Sequence, residues 1–188
     1  AIKEGYTFDP APKLQKERVA IIGAGPAGLS AAYQLRKMGY ASTIFEERKE
    51  LGGMMRYGIP GYRTPRDLLD KEIERIINLG DIEIVLGKRV GKDVKLEDVE
   101  KSHDAVLWTI GCCNGKAIPV DGGDATNCIT GVDFLEAFCD GRLKVGSKKV
   151  ICVGGGDTSI DVVSVARRLG HISKMNEQDT PENIVHGY

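Results

Sequence analysis

Two segments of this 188-residue chain carry closely spaced glycines between a run of β-branched residues and an apolar-periodic stretch. They are Gly23-Ala24-Gly25-Pro26-Ala27-Gly28 after Val19-Ala20-Ile21-Ile22, and Gly154-Gly155-Gly156-Asp157-Thr158-Ser159 after Val150-Ile151-Cys152-Val153. A strand that turns through glycines into a helix brings bare backbone N–H groups and the positive end of the helix dipole towards a diphosphate. That context commits the chain to a parallel α/β fold and predicts two dinucleotide sites. Two dinucleotides on one chain point to electron relay.

In the first turn, Gly23 permits the tight bend, Gly25 lets the backbone approach a pyrophosphate, and Gly28 lets the helix pack on its strand. Pro26 and Ala27 lie between them, and the helix is expected from about Ala27 to Met38, ended by Gly39. A second strand over Ala41 to Glu46 completes a βαβ unit. An acid about twenty residues past the turn holds a ribose through its hydroxyls, and Glu46 ends the strand at that place, with Glu47 pointing the other way. In the second turn, Gly154, Gly155 and Gly156 form the bend, Asp157 and Ser159 are expected to cap the helix, and Thr158 opens it. Its helix should run from Thr158 to Leu169 on a strand over Val150 to Val153, but the chain then becomes polar from Ser173 to Asp179. This second unit reads as incomplete.

Between the turns, a glycine-rich loop over residues 47–63 precedes Thr64-Pro65-Arg66-Asp67, a helix start. The helix should reach about Leu79, with Leu68, Leu69, Ile73, Ile76 and Ile77 on one face. Strands are expected at Ile82 to Leu86 and Asp104 to Ile110, the latter apolar enough for a buried sheet. A loop from Gly111 to Thr130, turning at Gly122-Gly123-Asp124, and a short helix near Val132 to Cys139 follow. Residues 1–18, with Pro10 and Pro12, read as an extended leader lying on another surface. The expected organisation is thus a leader (1–18), a first, partial dinucleotide domain (19–115), a connection (116–145) and the start of a second dinucleotide domain (146–188). The opening Ala1-Ile2-Lys3-Glu4-Gly5 lacks an initiator methionine and a signal pattern, and reads as a cut within something longer.

A net charge of -1 gives no electrostatic reason to expect nucleic acid or an acidic membrane surface. No apolar run is long enough for a membrane helix. The five cysteines, Cys112, Cys113, Cys128, Cys139 and Cys152, make no CxxC pair or metal-ligand spacing. Their odd number argues against a disulfide framework and for a reducing, cytoplasmic setting. Three of the five sit in apolar stretches, where buried inert thiols are expected.

The stretch VAIIGAGPAGLSAAYQLRKMGYASTIFEERKELGGMMRYGIPGYR resembles the flavin-binding start of the glutamate synthase small-subunit family. That family includes the flavin domain of dihydropyrimidine dehydrogenase and the NADPH-binding subunit of bifurcating transhydrogenases. Gly52-Gly53 followed by Tyr57-Gly58-Ile59-Pro60 and Tyr62-Arg63 carries the resemblance, which extends from about Lys16 to Gly170. It implies a Rossmann-like FAD-binding domain of the two-dinucleotide flavoprotein type, followed by the beginning of an NAD(P)-binding unit.

By resemblance, Gly23, Gly25, Pro26, Ala27 and Gly28 lie on the FAD pyrophosphate and Glu46 on its ribose. Gly53 and Met54 line the approach of the flavin, Ile59 and Pro60 run beside its ring, and Arg56 reaches a phosphate or the partner. Val90 meets the adenine. Ile110 and Gly111 pass the diphosphate, with Ile110 standing where the family commonly has threonine. Gly154, Gly155, Gly156, Asp157 and Thr158 would seat NAD or NADP. Choice between the two nicotinamide nucleotides rests on a strand beyond the second helix, and Arg167, Arg168 and His171 are the nearest basic residues, more readily read as a solvated helix end.

The implied activity passes a hydride from NAD(P)H to flavin N5, and then single electrons to an iron–sulfur partner domain or subunit that holds the clusters. No side chain presents itself as a catalytic acid, base or nucleophile, because such cofactors carry the chemistry. Two other readings stay open: an NAD-only dehydrogenase with a degenerate second turn, and a non-enzymatic nucleotide-binding or assembly piece.

Overall fold

The computed structural model describes residues 4–6, 8–9, 12–143 and 149–169. The expectations for residues 170–188, His171 among them, lie outside this set. The chain divides into two compact units that interleave in sequence. One comprises the chain up to Met55 together with Arg66–Cys112, and the other comprises Arg56–Pro65 and the chain from Cys113 onward.

In the first unit, β1 (Arg18–Ile22), β2 (Ala41–Glu46), β3 (Ile82–Leu86) and β4 (Ala105–Trp108) form one parallel sheet in the order β3-β2-β1-β4. Strand residues alternate between faces. Ile21 and Ile44, paired in register, point to the face covered by α1 (Pro26–Lys37), where Leu29 and Ala32 meet them. Two further elements follow in chain order, α2 (Met54–Tyr57), which straddles the boundary of the units, and α3 (Arg66–Ile77). Leu69 and Ile73 of α3 join the same core. Ala20 and Ile22 point to the opposite face, packed with Val99 of α4 (Leu96–Ser102) and with Phe45, Val90, Val94 and Val106.

Two expectations for this unit need correction. Leu68 is 38% exposed, because the buried stripe of α3 runs through Leu69 and Ile73 with Ile76 and Ile77 beside it, and the preceding position lies about 100° around the helix. β4 is four residues long and an edge of the sheet, where a buried strand over 104–110 was expected. Leu107 and Trp108 are 40% and 52% exposed, since among the described residues no strand pairs with the far side of β4. The leader packs on this unit: Phe8 lies tilted against Tyr33 of α1 with ring centroids 4.7 Å apart, and the Arg75 guanidinium of α3 lies 4.4 Å from the Phe8 ring centre.

The second unit centres on α5 (Gly131–Cys139) and α6 (Asp157–Arg168). Phe134, Leu135 and Phe138 of α5 bury against Val162, Val165 and Ala166 of α6, with Leu143 alongside. Thr130 caps α5 by accepting the Asp133 N–H at 3.2 Å. Residues 150–153 are not a strand in this structure. Val150 and Cys152 pack on the helices, whereas Ile151 and Val153 are 81% and 73% exposed. The alternation expected of a strand is present, but no partner among the described residues supplies the ladder that would make it one.

Candidate dinucleotide sites

The two glycine turns share a backbone. Gly23 has φ +106° and Gly154 has φ +126°, a region costly for any residue with a Cβ. Two residues on, Gly25 (φ -73°, ψ -175°) and Gly156 (φ -79°, ψ 176°) are the N-caps of α1 and α6, and neither helix start receives a hydrogen bond from a capping side chain. The expected side-chain cap from Asp157 or Ser159 is therefore absent: Asp157 falls inside the helix, where its charge acts on the dipole. First-turn N–H groups of both helices are left for an outside acceptor, as anion recognition at a helix start requires.

Around the first turn the chain packs backbone against backbone. Gly53 lies back to back with Gly25, and a Cβ on Gly53 would stand 2.6 Å from the Gly25 Cα. The Gly52 N–H donates to the Ala24 carbonyl at 2.9 Å, so the two glycine loops are stitched together. Pro26 and Ala27 are exposed at the helix start and Gly28 is buried. A Cβ at Gly28 would run into the Gly23 carbonyl oxygen and come within 2.9 Å of the Thr109 Oγ1. Glu46, 7% exposed at the end of β2, accepts the Ala24 N–H on Oε2 and the Arg48 N–H on Oε1, both at 2.8 Å. A carboxylate has about four lone-pair positions, so two remain beyond these bonds. Glu47 is more exposed and pairs with Arg89 at 3.1 Å.

The other expected first-site residues are placed as follows. Met54 is 39% exposed at the start of α2, Val90 is partly buried in the α4-side core, and Ile110 and Gly111 are exposed just past β4. Ile110 makes no replacement for the threonine hydroxyl. One residue earlier, the Thr109 Oγ1 donates towards the carbonyls of Gly23 and Ile22 at 2.9 and 3.0 Å.

Ile59 and Pro60 belong to the second unit, and Pro60 is fully buried, with its ring surface already covered. In this unit the Arg63 Nη1 donates to both carboxylate oxygens of Asp161, at 2.8 and 2.7 Å. Asp161 is 7% exposed and the arginine side chain 47%. That hydrogen bond and the Asp161 charge raise the guanidinium pKa above its ordinary value, Asp157 adding to the effect. The neighbouring Tyr62 lies under the Arg168 guanidinium, 3.8 Å from its ring centre. Burial raises the Tyr62 phenol pKa, opposed by the nearby positive charge of Arg168. Stacking on Tyr62 removes Arg168 from the solvated helix end that the sequence suggested, whereas Arg167 is exposed. None of these contacts was visible in the local sequence pattern.

The second turn is more open. A Cβ at Gly155 or Gly156 would meet nothing within 4 Å, and Thr158 packs its methyl near Gly131. Ser159 occupies the place that Gly28, the third glycine of the motif, takes in the first turn. Of the cysteines, Cys112, Cys113 and Cys128 are exposed and Cys139 and Cys152 partly so; all five are free and none is the fully buried thiol expected.

The model of the family described as pyridine nucleotide-disulphide oxidoreductase matches residues 17–182. The chain belongs to this family. Within the pyridine nucleotide-disulphide oxidoreductases it is 45% identical over 165 residues to the NADPH-Fe(3+) oxidoreductase subunit beta of Geobacter sulfurreducens, covering 85% of this chain and 24% of the relative. It is 38% identical over 165 residues to the NAD-dependent dihydropyrimidine dehydrogenase subunit PreT of Salmonella typhimurium, covering 87% and 39%. A putative glutamate synthase [NADPH] small chain of Cereibacter sphaeroides is 32% identical over 183 residues, covering 92% and 44%. The glutamate synthase and dihydropyrimidine dehydrogenase resemblance is thus borne out. The chain spans between 24% and 44% of the length of these relatives.

Among solved structures, a 2-naphthoyl-CoA reductase complex superposes with a TM-score of 0.68 at 22% identity, covering 95% of this chain and 27% of that one. Mycobacterium tuberculosis FprA in complex with NADPH gives 0.63 at 22% identity, covering 67% and 29%. The family fold is the expected parallel-sheet, Rossmann-like one. Among the described residues no helix is long and apolar enough to cross a membrane.

Proposed function

We propose that this chain is the nucleotide-handling part of a flavin-dependent oxidoreductase that passes electrons from NAD(P)H through FAD to an iron–sulfur domain or subunit. The observation that carries the reading is the first turn: an uncapped helix start at Gly25, a bare approach between Gly25 and Gly53, and a buried Glu46 with acceptor capacity to spare. Gly23, Gly25, Pro26, Ala27 and Gly28 would hold the FAD diphosphate and Glu46 the ribose. Gly53 and Met54 would border the flavin, Val90 the adenine, and Ile110 and Gly111 the diphosphate edge. When bound, the flavin supplies the conversion of a two-electron donor into single-electron delivery.

The chain's own residues bind and orient. By resemblance Ile59 and Pro60 would run beside the flavin ring, and the buried Pro60 stiffens its segment. Gly154, Gly155, Gly156, Asp157 and Thr158 would seat the nicotinamide nucleotide, supported by the backbone shared with the first turn. Five free thiols fit a reducing cytoplasm. The names of the relatives support an oxidoreductase subunit, including NAD- and NADPH-named proteins alike.

The test is incubation of the purified chain with FAD, gel filtration and a visible spectrum. Stoichiometric retention of the yellow flavin band is expected, and a colourless protein refutes the flavin assignment. Bleaching by NADH or NADPH under argon then separates an oxidoreductase from a nucleotide-binding scaffold.

A further inference from the structure

Thr109 follows β4 at the C-terminal edge of the sheet, and its hydroxyl reaches the back of the first glycine turn. Oγ1 lies 2.9 Å from the Gly23 carbonyl oxygen and 3.0 Å from that of Ile22, so its one proton is shared between two acceptors. Its backbone N–H also donates to Ile22 at 2.9 Å, which fixes where the hydroxyl starts from.

The Gly23 carbonyl and the Ala24 N–H are the two poles of one planar peptide. Thr109, reaching in from β4, donates to the carbonyl pole. Glu46, reaching in from β2, accepts from the N–H pole at 2.8 Å. The Gly23 N–H, on the preceding peptide, is held separately by the Phe45 carbonyl at 2.8 Å. A glycine at φ +106° has no Cβ to resist rotation of the peptide that follows it, so the plane stays put only if something outside the turn grips it. Gly28 belongs to this arrangement, since a side chain there would meet both the Gly23 oxygen and Thr109 Oγ1.

We propose that Thr109 is a positioning residue for diphosphate binding: its hydroxyl, working against Glu46, locks the Gly23–Ala24 peptide plane in the orientation that keeps the α1 N-terminal donors arrayed for a dinucleotide. The inference rests on the reading of the first turn as an FAD site. Thr109 would touch no cofactor atom itself; it acts through the backbone. A preorganised turn binds more tightly because less ordering remains to be done on association.

The test uses the whole chain with Thr109→Val, which keeps the shape and removes the donor, and Thr109→Ser, which restores it. FAD affinity is read by flavin fluorescence and by quenching of Trp108, the chain's single tryptophan. The thermal midpoint of the ligand-free protein is read in parallel. Valine is expected to weaken FAD binding about fivefold to tenfold, on the scale of one hydrogen bond, with serine within about twofold of the parent. A purely structural role would lower the midpoint of the valine variant and leave the affinity of its folded fraction unchanged, which overturns the inference, as does a serine variant that binds no better than valine. Should valine not fold, Thr109→Ala is judged by the same two readouts. A parent chain that takes up no FAD overturns the flavin reading and the inference together, whereas a parent that binds and a valine variant that binds equally overturn the inference alone.

Discussion

Glu46 Oε2 accepts the backbone N–H of Ala24 at 2.8 Å, across the 22 residues that separate the end of β2 from the glycine turn. The carboxylate is thus a structural acceptor as well as the proposed ribose ligand, and its other oxygen holds the Arg48 N–H. Glu46→Ala leaves two N–H groups without their partner in a site where Glu46 is 7% exposed, and is expected to cost about 2–4 kcal/mol of stability. Glu46→Gln keeps one acceptor oxygen and should cost about half as much. Urea unfolding measures both, and FAD retention should fall in the same order.

The glycines of the first turn separate folding from binding. Gly28→Ala drives a methyl into the Gly23 carbonyl and the Thr109 hydroxyl, and Gly23→Ala combines φ +106° with a 2.5 Å approach to the Thr109 carbonyl oxygen. Each should destabilise by about 1–3 kcal/mol or more. Gly25→Ala differs: its φ is -73° and its nearest new neighbour, the Gly53 Cα, is at 3.8 Å, an ordinary contact. Its unfolding midpoint should stay within about 0.5 kcal/mol of the parent while FAD binding drops at least tenfold, because the methyl stands where the diphosphate must approach. Equal loss of stability in all three variants would remove the binding role of Gly25.

What the sequence made legible was local. The strand, turn and helix of the first unit, the acid at Glu46 and the parallel class all follow from patterns within about thirty residues. The status of β4 did not, because exposure of Leu107 and Trp108 depends on which strands flank the sheet and not on the strand's own apolarity. Ile151 and Val153 miss strand status for a related reason. Arg63 and Asp161 are 98 residues apart, and no periodicity links them. The Thr109 contact is not legible in the sequence, because the hydroxyl's reach depends on the register of β4 against β1, in which Trp108 stands opposite Ile22.

Alkaline pH should weaken the second unit through Tyr62. Burial raises its phenol pKa above the ordinary 10.0, so the folded state holds the proton more tightly than the unfolded chain. The stabilisation is complete below the unfolded value and is lost as pH rises through the folded one. Unfolding midpoints measured from pH 9 to 12 should therefore fall above about pH 10, the ordinary tyrosine value. Tyr62→Phe should flatten part of that slope; an unchanged slope in the phenylalanine variant would assign the alkaline loss to other groups.

Arg36 ties the leader to the sheet. Its side chain is 7% exposed, Nη2 pairs with Asp81 at 3.0 Å, and Nη1 donates to the Pro12 carbonyl at 2.9 Å. Nearby, the Gln15 N–H donates to the Gly39 carbonyl at 2.8 Å, so the leader closes over the C-terminal end of α1. Removing residues 1–12 deletes the Pro12 acceptor but leaves Gln15 in place, and a buried guanidinium donor loses its partner. The expected cost is about 1–3 kcal/mol, read as a lower urea midpoint. Arg36→Met should respond differently: it removes the donor and fills similar space, so combining it with the truncation should cost less than the sum of the separate changes. Strict additivity in that double-mutant cycle would mean that Arg36 and the leader stabilise the first unit independently.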